Sequence, residues 1–176
     1  MELENKPYDR KREIFNWLPS VIMLPIMIYW LLTRGHYTFI DTADLVIHEG
    51  GHLVFMLFGK FIYTLGGTLM QIILPSIIAF YFFRNQYKTG VQVALLWLGQ
   101  NFINISVYAA DAQARKLPLL GGNKVYHDWT YILSALGILE LDYLVGYFFV
   151  ALAVIVFIIS LALPKIMYGT APVENA

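Results

Sequence analysis

The 176-residue chain has no cysteine, few charges and only four histidines. Without cysteine, disulfides and thiolate metal sites are excluded, and a metal site must use imidazole and carboxylate. Charged residues make up 14% of the chain, against about 25% in ordinary soluble domains. Formal net charge is zero, so nothing in the charge balance points to nucleic acid. What replaces charge is apolar surface: 59% of residues are hydrophobic, 16% are aromatic, and the mean hydropathy is +0.61. That composition is one of a membrane protein.

The apolar residues fall into long runs. Leu18 to Leu32 is the first, with Trp17 and Trp30 near its ends as interfacial anchors. Leu45 to Phe58, Gly67 to Phe83, Val91 to Ala110 and Tyr143 to Leu163 follow. A full span needs about 20 apolar residues, so the first two runs must extend through polar flanks such as Tyr37-Thr38-Phe39-Ile40. Trp129 to Leu139 is too short to cross and reads as a re-entrant or interfacial half-helix. The expected fold is all-α: a polytopic bundle of about five transmembrane helices plus the half-helix. Residues 1–16 read as a basic tail, 17–165 as a single helical domain and 166–176 as a flexible tail.

Lys6, Arg10, Lys11 and Arg12 precede the first run, which places the N-terminus in the cytoplasm by the positive-inside rule. No small-residue cleavage site follows that run, so it reads as an anchor rather than a signal peptide. The distribution of the other basic residues mildly favours five crossings over a second run that dips in and returns.

The second run contains His48-Glu49-Gly50-Gly51-His52. On a helix, residues four apart share a face, so both imidazoles can address one metal ion, with Glu49 beside them to hold a water. This H-E-x-x-H spacing is that of zinc hydrolases, with two His ligands and a Glu base. Chance would produce it in roughly 0.2% of shuffled chains. In a membrane the coincidence is also costly, because three ionisable groups must be desolvated together. Gly50 and Gly51 weaken the helix but permit close approach of another backbone.

Asp41 can cap the motif helix, and Asp44 lies one turn before His48. Asp44 can orient the His48 ring or serve only as first-turn charge. Zinc needs a third protein ligand. His36 is close in sequence but sits in a loop beside Arg34. The fourth run carries a polar stripe, Gln100, Asn104, Tyr108, Asp111 and Arg115, with Asn101 alongside. Asp111 is its one carboxylate and the expected third ligand; pairing with Arg115 is its structural alternative. His127 is the alternative ligand, in His127-Asp128-Trp129, where Asp128 can shape the pocket rim or cap the half-helix. The turn Leu117-Pro118-Leu119-Leu120-Gly121-Gly122 ends the fourth helix. Straight parallel spans would hold His48 and Asp111 apart by much of the bilayer, so one of the helices must be displaced or broken.

The motif resembles the site-2 protease family of intramembrane zinc metalloproteases, which carry H-E-x-G-H on a membrane helix. Gly66-Gly67-Thr68-Leu69-Met70-Gln71 is loosely similar to that family's Gly-rich segment, and Asn104 to Asp111 to its third motif. Ala112 follows Asp111 where the family has Gly, and the family's prolines are missing between Asn104 and Asp111. The resemblance covers residues 44 to 122 and implies His48, His52 and Asp111 as ligands of one Zn2+, Glu49 as base, and Asn104 on the substrate backbone. It leaves no room for an inserted regulatory domain.

The expected function is intramembrane peptide hydrolysis on a membrane protein or peptide, with Gln100, Asn101 and Asn104 gripping unwound substrate backbone. A non-proteolytic membrane zinc protein, or a hydrolase of another amide or ester, is the alternative. A transporter whose polar stripe lines a path is the third reading. The exposed apolar faces leave room for a homodimer or a partner subunit beside the lipid bilayer.

Overall fold

The computed structural model describes residues 10–117 and 127–168; the outer parts of both tails and residues 118–122 of the expected turn lie outside them. The described residues form six α-helices: α1 (Arg10–Leu32), α2 (Phe39–Phe55), α3 (Gly59–Arg84), α4 (Lys88–Ala110), α5 (Asp128–Ala135) and α6 (Asp142–Tyr168). No strand occurs among them. Each long apolar run of the sequence lies in a helix, and the half-helix is α5, eight residues long.

Four helical stretches are long and apolar enough to cross a membrane: Ile14–Leu32, Phe39–Arg84, Lys88–Ala110 and Leu139–Met167. The expected fivefold count differs because α2 and α3 share one of these stretches. α2 has only 17 residues, about 26 Å of helix, less than the hydrocarbon core of about 30 Å. A 3-10 turn, Met56–Phe58, follows it, and Gly59 reverses the chain at φ +82°, a conformation other residues rarely adopt. α3 then runs back along α2. Gly51 meets Gly66, so the two backbones approach closely where neither side carries a Cβ, and Gly67 leaves room for the His48 ring.

α4 is the central helix, packed against α1, α3 and α6. Of its polar stripe, Gln100 and Asn101 are buried, Asn104, Tyr108 and Asp111 are half-buried and Arg115 is exposed; Gln92 and Ser106 of the same helix are buried as well. In lipid the apolar effect does not hold helices together, so packing and interhelical hydrogen bonds must. Gln92 supplies one clasp, donating to Ser20 Oγ of α1 at 2.8 Å and to the Ser160 carbonyl of α6 at 2.9 Å. A core of Met27, Phe102, Ile105, Leu133, Phe149 and Phe157 fills the space between α1, α4, α5 and α6. The outward faces of α1, α3 and α6 are apolar and exposed, as a lipid-facing surface requires.

Candidate metal centre

The start of α2 is fixed by Thr38 as N-cap. Asp41, expected there as the cap, lies three residues on and accepts the Thr38 N–H at 2.6 Å, the reciprocal half of a capping box. From this start the helical period carries His48 and His52 to the buried face, while Glu49 is exposed towards a cleft. That cleft has a volume of about 550 Å³ and is walled by α1, α2, α3 and α4.

Both imidazoles are held from behind. His48 Nδ1 lies 3.0 Å from Gln71 Oε1 of α3, and His52 Nδ1 lies 2.8 Å from the Tyr63 carbonyl. Their other nitrogens converge on one oxygen. Asp128 Oδ2, from the first turn of α5, is 2.9 Å from His48 Nε2 and 3.2 Å from His52 Nε2. Each ring therefore faces an acceptor at both nitrogens, yet a neutral imidazole has one N–H to donate. A cation between the two Nε2 atoms and Asp128 would resolve that mismatch, as would an extra proton on each ring.

His48, His52 and Asp128 are the one group of three such side chains among the described residues able to hold a metal ion, with donor atoms within 4.8 Å of one another. Two imidazoles and a carboxylate form a known zinc donor set that leaves a position open. Zinc bonds of about 2.05 Å in tetrahedral array place ligand atoms about 3.3 Å apart, close to the 2.9 and 3.2 Å that separate Asp128 Oδ2 from the two imidazoles. The Nδ1 contacts are of the kind that orients metal-bound histidines. Burial alone would push the Asp128 carboxyl up, but its contacts with the His48 and His52 rings outweigh burial and hold it below the ordinary carboxylate range.

The expected third ligand, Asp111, is not in this group. It ends α4, and its carboxylate accepts the N–H groups of Lys116 and Leu117, each at 2.9 Å. These N–H groups lie past the end of α4, and Asp111 supplies the acceptor they need. His127, the alternative ligand, is likewise elsewhere. Its Nδ1 accepts the Thr130 N–H as N-cap of α5, and its Nε2 lies 3.5 Å from Asp111 Oδ2. Burial pushes the His127 imidazole down, against the pull of Asp111. Asp128, expected to shape the rim or cap the helix, sits instead in the first turn, beside both imidazoles. Its backbone N–H donates to the Tyr108 hydroxyl at 3.1 Å.

Asp44 does not reach His48; it accepts Trp97 Nε1–H at 2.9 Å, and Gln71 takes the place expected for it. Of the three residues expected to grip substrate, Asn101 is fully buried and donates to the Trp97 carbonyl, away from the cleft. Gln100 and Asn104 line the cleft, but both donate to Asp41 Oδ1, at 3.0 and 2.9 Å. His36 is exposed in the loop after α1. Gln71 was missed because an amide on an apolar helix carries no spacing signal. Asp128 was visible only as an acid next to a histidine.

No protein-family model, curated protein or solved structure matches this chain. The class defined by the fold is an all-α helical bundle with membrane-length helices, and within it lies a His-His-Asp cluster that could hold a metal.

Proposed function

We propose that this chain is an intramembrane zinc metallopeptidase, with one zinc held by His48, His52 and Asp128 and with Glu49 as general base. The observation that carries the reading is the convergence of two Nε2 atoms and a carboxylate oxygen beside Glu49 in one cleft. Zinc there would supply a Lewis acid for the scissile carbonyl and lower the pKa of a bound water to about 7.

The protein's own groups do the rest. Glu49 takes a proton from the attacking water and returns it to the amide nitrogen as the C–N bond breaks. Gln71 and the Tyr63 carbonyl hold the imidazoles in line. Membrane helices hide their peptide groups in internal hydrogen bonds, so a substrate must be extended locally to enter. The cleft offers it mixed surroundings, with Tyr37, Leu45 and Val107 beside Arg34, Lys60 and Glu49. Lys6, Arg10, Lys11 and Arg12, ahead of the apolar stretch Ile14–Leu32, favour a cytoplasmic N-terminus.

The transport reading is less well supported. Gln100 and Asn104 of the stripe are committed to Asp41, and Asn101 to the α4 backbone. The test is elemental analysis of the detergent-purified chain, followed by incubation with a library of membrane-helix peptides. About one zinc per chain in both wild type and Glu49→Gln, with cleavage by wild type alone, supports the proposal. Zinc without any Glu49-dependent cleavage would leave a non-proteolytic zinc protein. A metal-supplemented wild type without zinc would sink both.

A further inference from the structure

Behind His48 runs a buried chain of hydrogen bonds that crosses three helices. His48 Nδ1 lies 3.0 Å from Gln71 Oε1 on α3; Gln71 Nε2–H donates to Asn104 Oδ1 on α4 at 3.0 Å; Asn104 Nδ2–H donates to Asp41 Oδ1 at 2.9 Å. Asp41 returns the chain to α2, seven residues before His48. Gln71, Asp41 and His48 are all more than nine-tenths buried.

The direction of this chain is forced from its far end. A carboxylate only accepts, so Asn104 must present its NH2 to Asp41 and its carbonyl oxygen to Gln71. Gln71 must then present its NH2 to Asn104 and its carbonyl oxygen to His48. Reversing either amide would set oxygen against oxygen in a buried site, where an unmade hydrogen bond is costly. An acceptor is thus fixed opposite His48 Nδ1, which must carry the proton. The Nε2 lone pair is left to face Asp128 and the zinc position.

We propose that Gln71, oriented by Asp41 through Asn104, is a positioning residue that sets the His48 tautomer for metal binding. The inference rests on the zinc reading for its purpose, but the tautomer can be read without metal. It also gives both polar atoms of Asn104, which lines the cleft, partners within the protein instead of on the substrate.

Two measurements decide it. The first is a Co2+ and Zn2+ competition titration of the full chain in detergent, with helicity and thermal midpoint checked for each variant. Gln71→Leu should weaken binding by about 10- to 100-fold, as loss of such an outer hydrogen bond does at other sites. Gln71→Glu keeps an oxygen facing His48 but sets its second oxygen against Asn104 Oδ1, so it should recover only part of the affinity. Equal affinity of Gln71→Leu and wild type would overturn the proposal and leave the zinc reading standing.

The second measurement is 15N NMR of histidine-labelled protein carrying Asp128→Ala, above the imidazole pKa. There the rival acceptor and one metal ligand are gone. His48 should still carry its proton on Nδ1, and adding Gln71→Leu or Asn104→Leu should move it towards the Nε2–H form usual for free imidazole. A His48 already in that usual form with Gln71 present would overturn the proposal whether or not the wild type binds zinc.

Discussion

Three glycines around the His motif should give three different outcomes, and Gly67 is the sharpest. A Cβ placed on Gly67 would lie 2.5 Å from Cε1 and 2.6 Å from Cδ2 of the His48 ring, and closest of all to Nε2. Carbon atoms in contact sit about 3.5–4.0 Å apart, so the ring must retreat by about 1 Å. It cannot turn aside freely, with Nδ1 tied to Gln71, the His52 ring 4.8 Å away and the Tyr108 ring 5.7 Å away. A metal site tolerates about 0.2 Å of misplacement. Gly67→Ala should therefore cost a ligand, weakening zinc by at least about 100-fold, or about 2.7 kcal/mol, at the upper end of what outer-partner losses cost. The assay is a zinc competition titration run beside a thermal melt. Gly50→Ala is the control: nothing lies within 4 Å of its Cβ, so zinc is kept and the helix gains up to about 1 kcal/mol. Gly51→Ala should instead damage the fold, because its Cβ meets the Gly66 carbonyl, with the carbonyl carbon at 2.8 Å. Backbone cannot turn aside as a side chain can, and such overpacking costs about 1–3 kcal/mol. Wild-type zinc affinity in Gly67→Ala would refute the placement of His48 at the metal.

Replacing each of the two acids should separate the expected ligand, Asp111, from the proposed one, Asp128. Asp128→Ala should lose zinc by more than about 100-fold, since a donor atom goes rather than a supporting bond. Asp111→Ala should keep zinc within about tenfold and lower stability by about 0.5–1.5 kcal/mol, as the partly exposed N–H groups of Lys116 and Leu117 exchange their acceptor for water; the reverse pattern by elemental analysis would restore Asp111 as ligand. Glu49→Gln should retain one zinc and reduce peptide turnover by about 10²- to 10⁴-fold, measured on any cleaved peptide the library yields. Acid should strip the metal. The Asp128 carboxyl is held low, so protons compete with zinc first at the imidazoles, and the apparent zinc affinity read by a metal indicator should fall as the pH is lowered from about 7 to about 5. An affinity unchanged over that range would refute imidazole ligation.

How much of this was legible from residues alone differs from element to element. Long apolar runs must become helices in a membrane, because every backbone group needs an internal partner, so the all-α class and helix positions followed directly. The motif pair followed too, because four residues always bring two side chains to one helical face. Where the helices meet was not local. Gly59 folds α2 back on α3, which changes the count of spans and brings Gln71 behind His48. Asp111 had the composition of a ligand, but the end of α4 consumed its oxygens. Asp128 reaches both imidazoles across 80 residues of sequence from His48, because α5 packs against the core with its first turn at the cleft. Spacing along one helix could point to two candidate donors and a candidate base; the acid that meets the imidazoles lies on another helix, and only the packing of α5 against α3 and α4 brought Asp128 there.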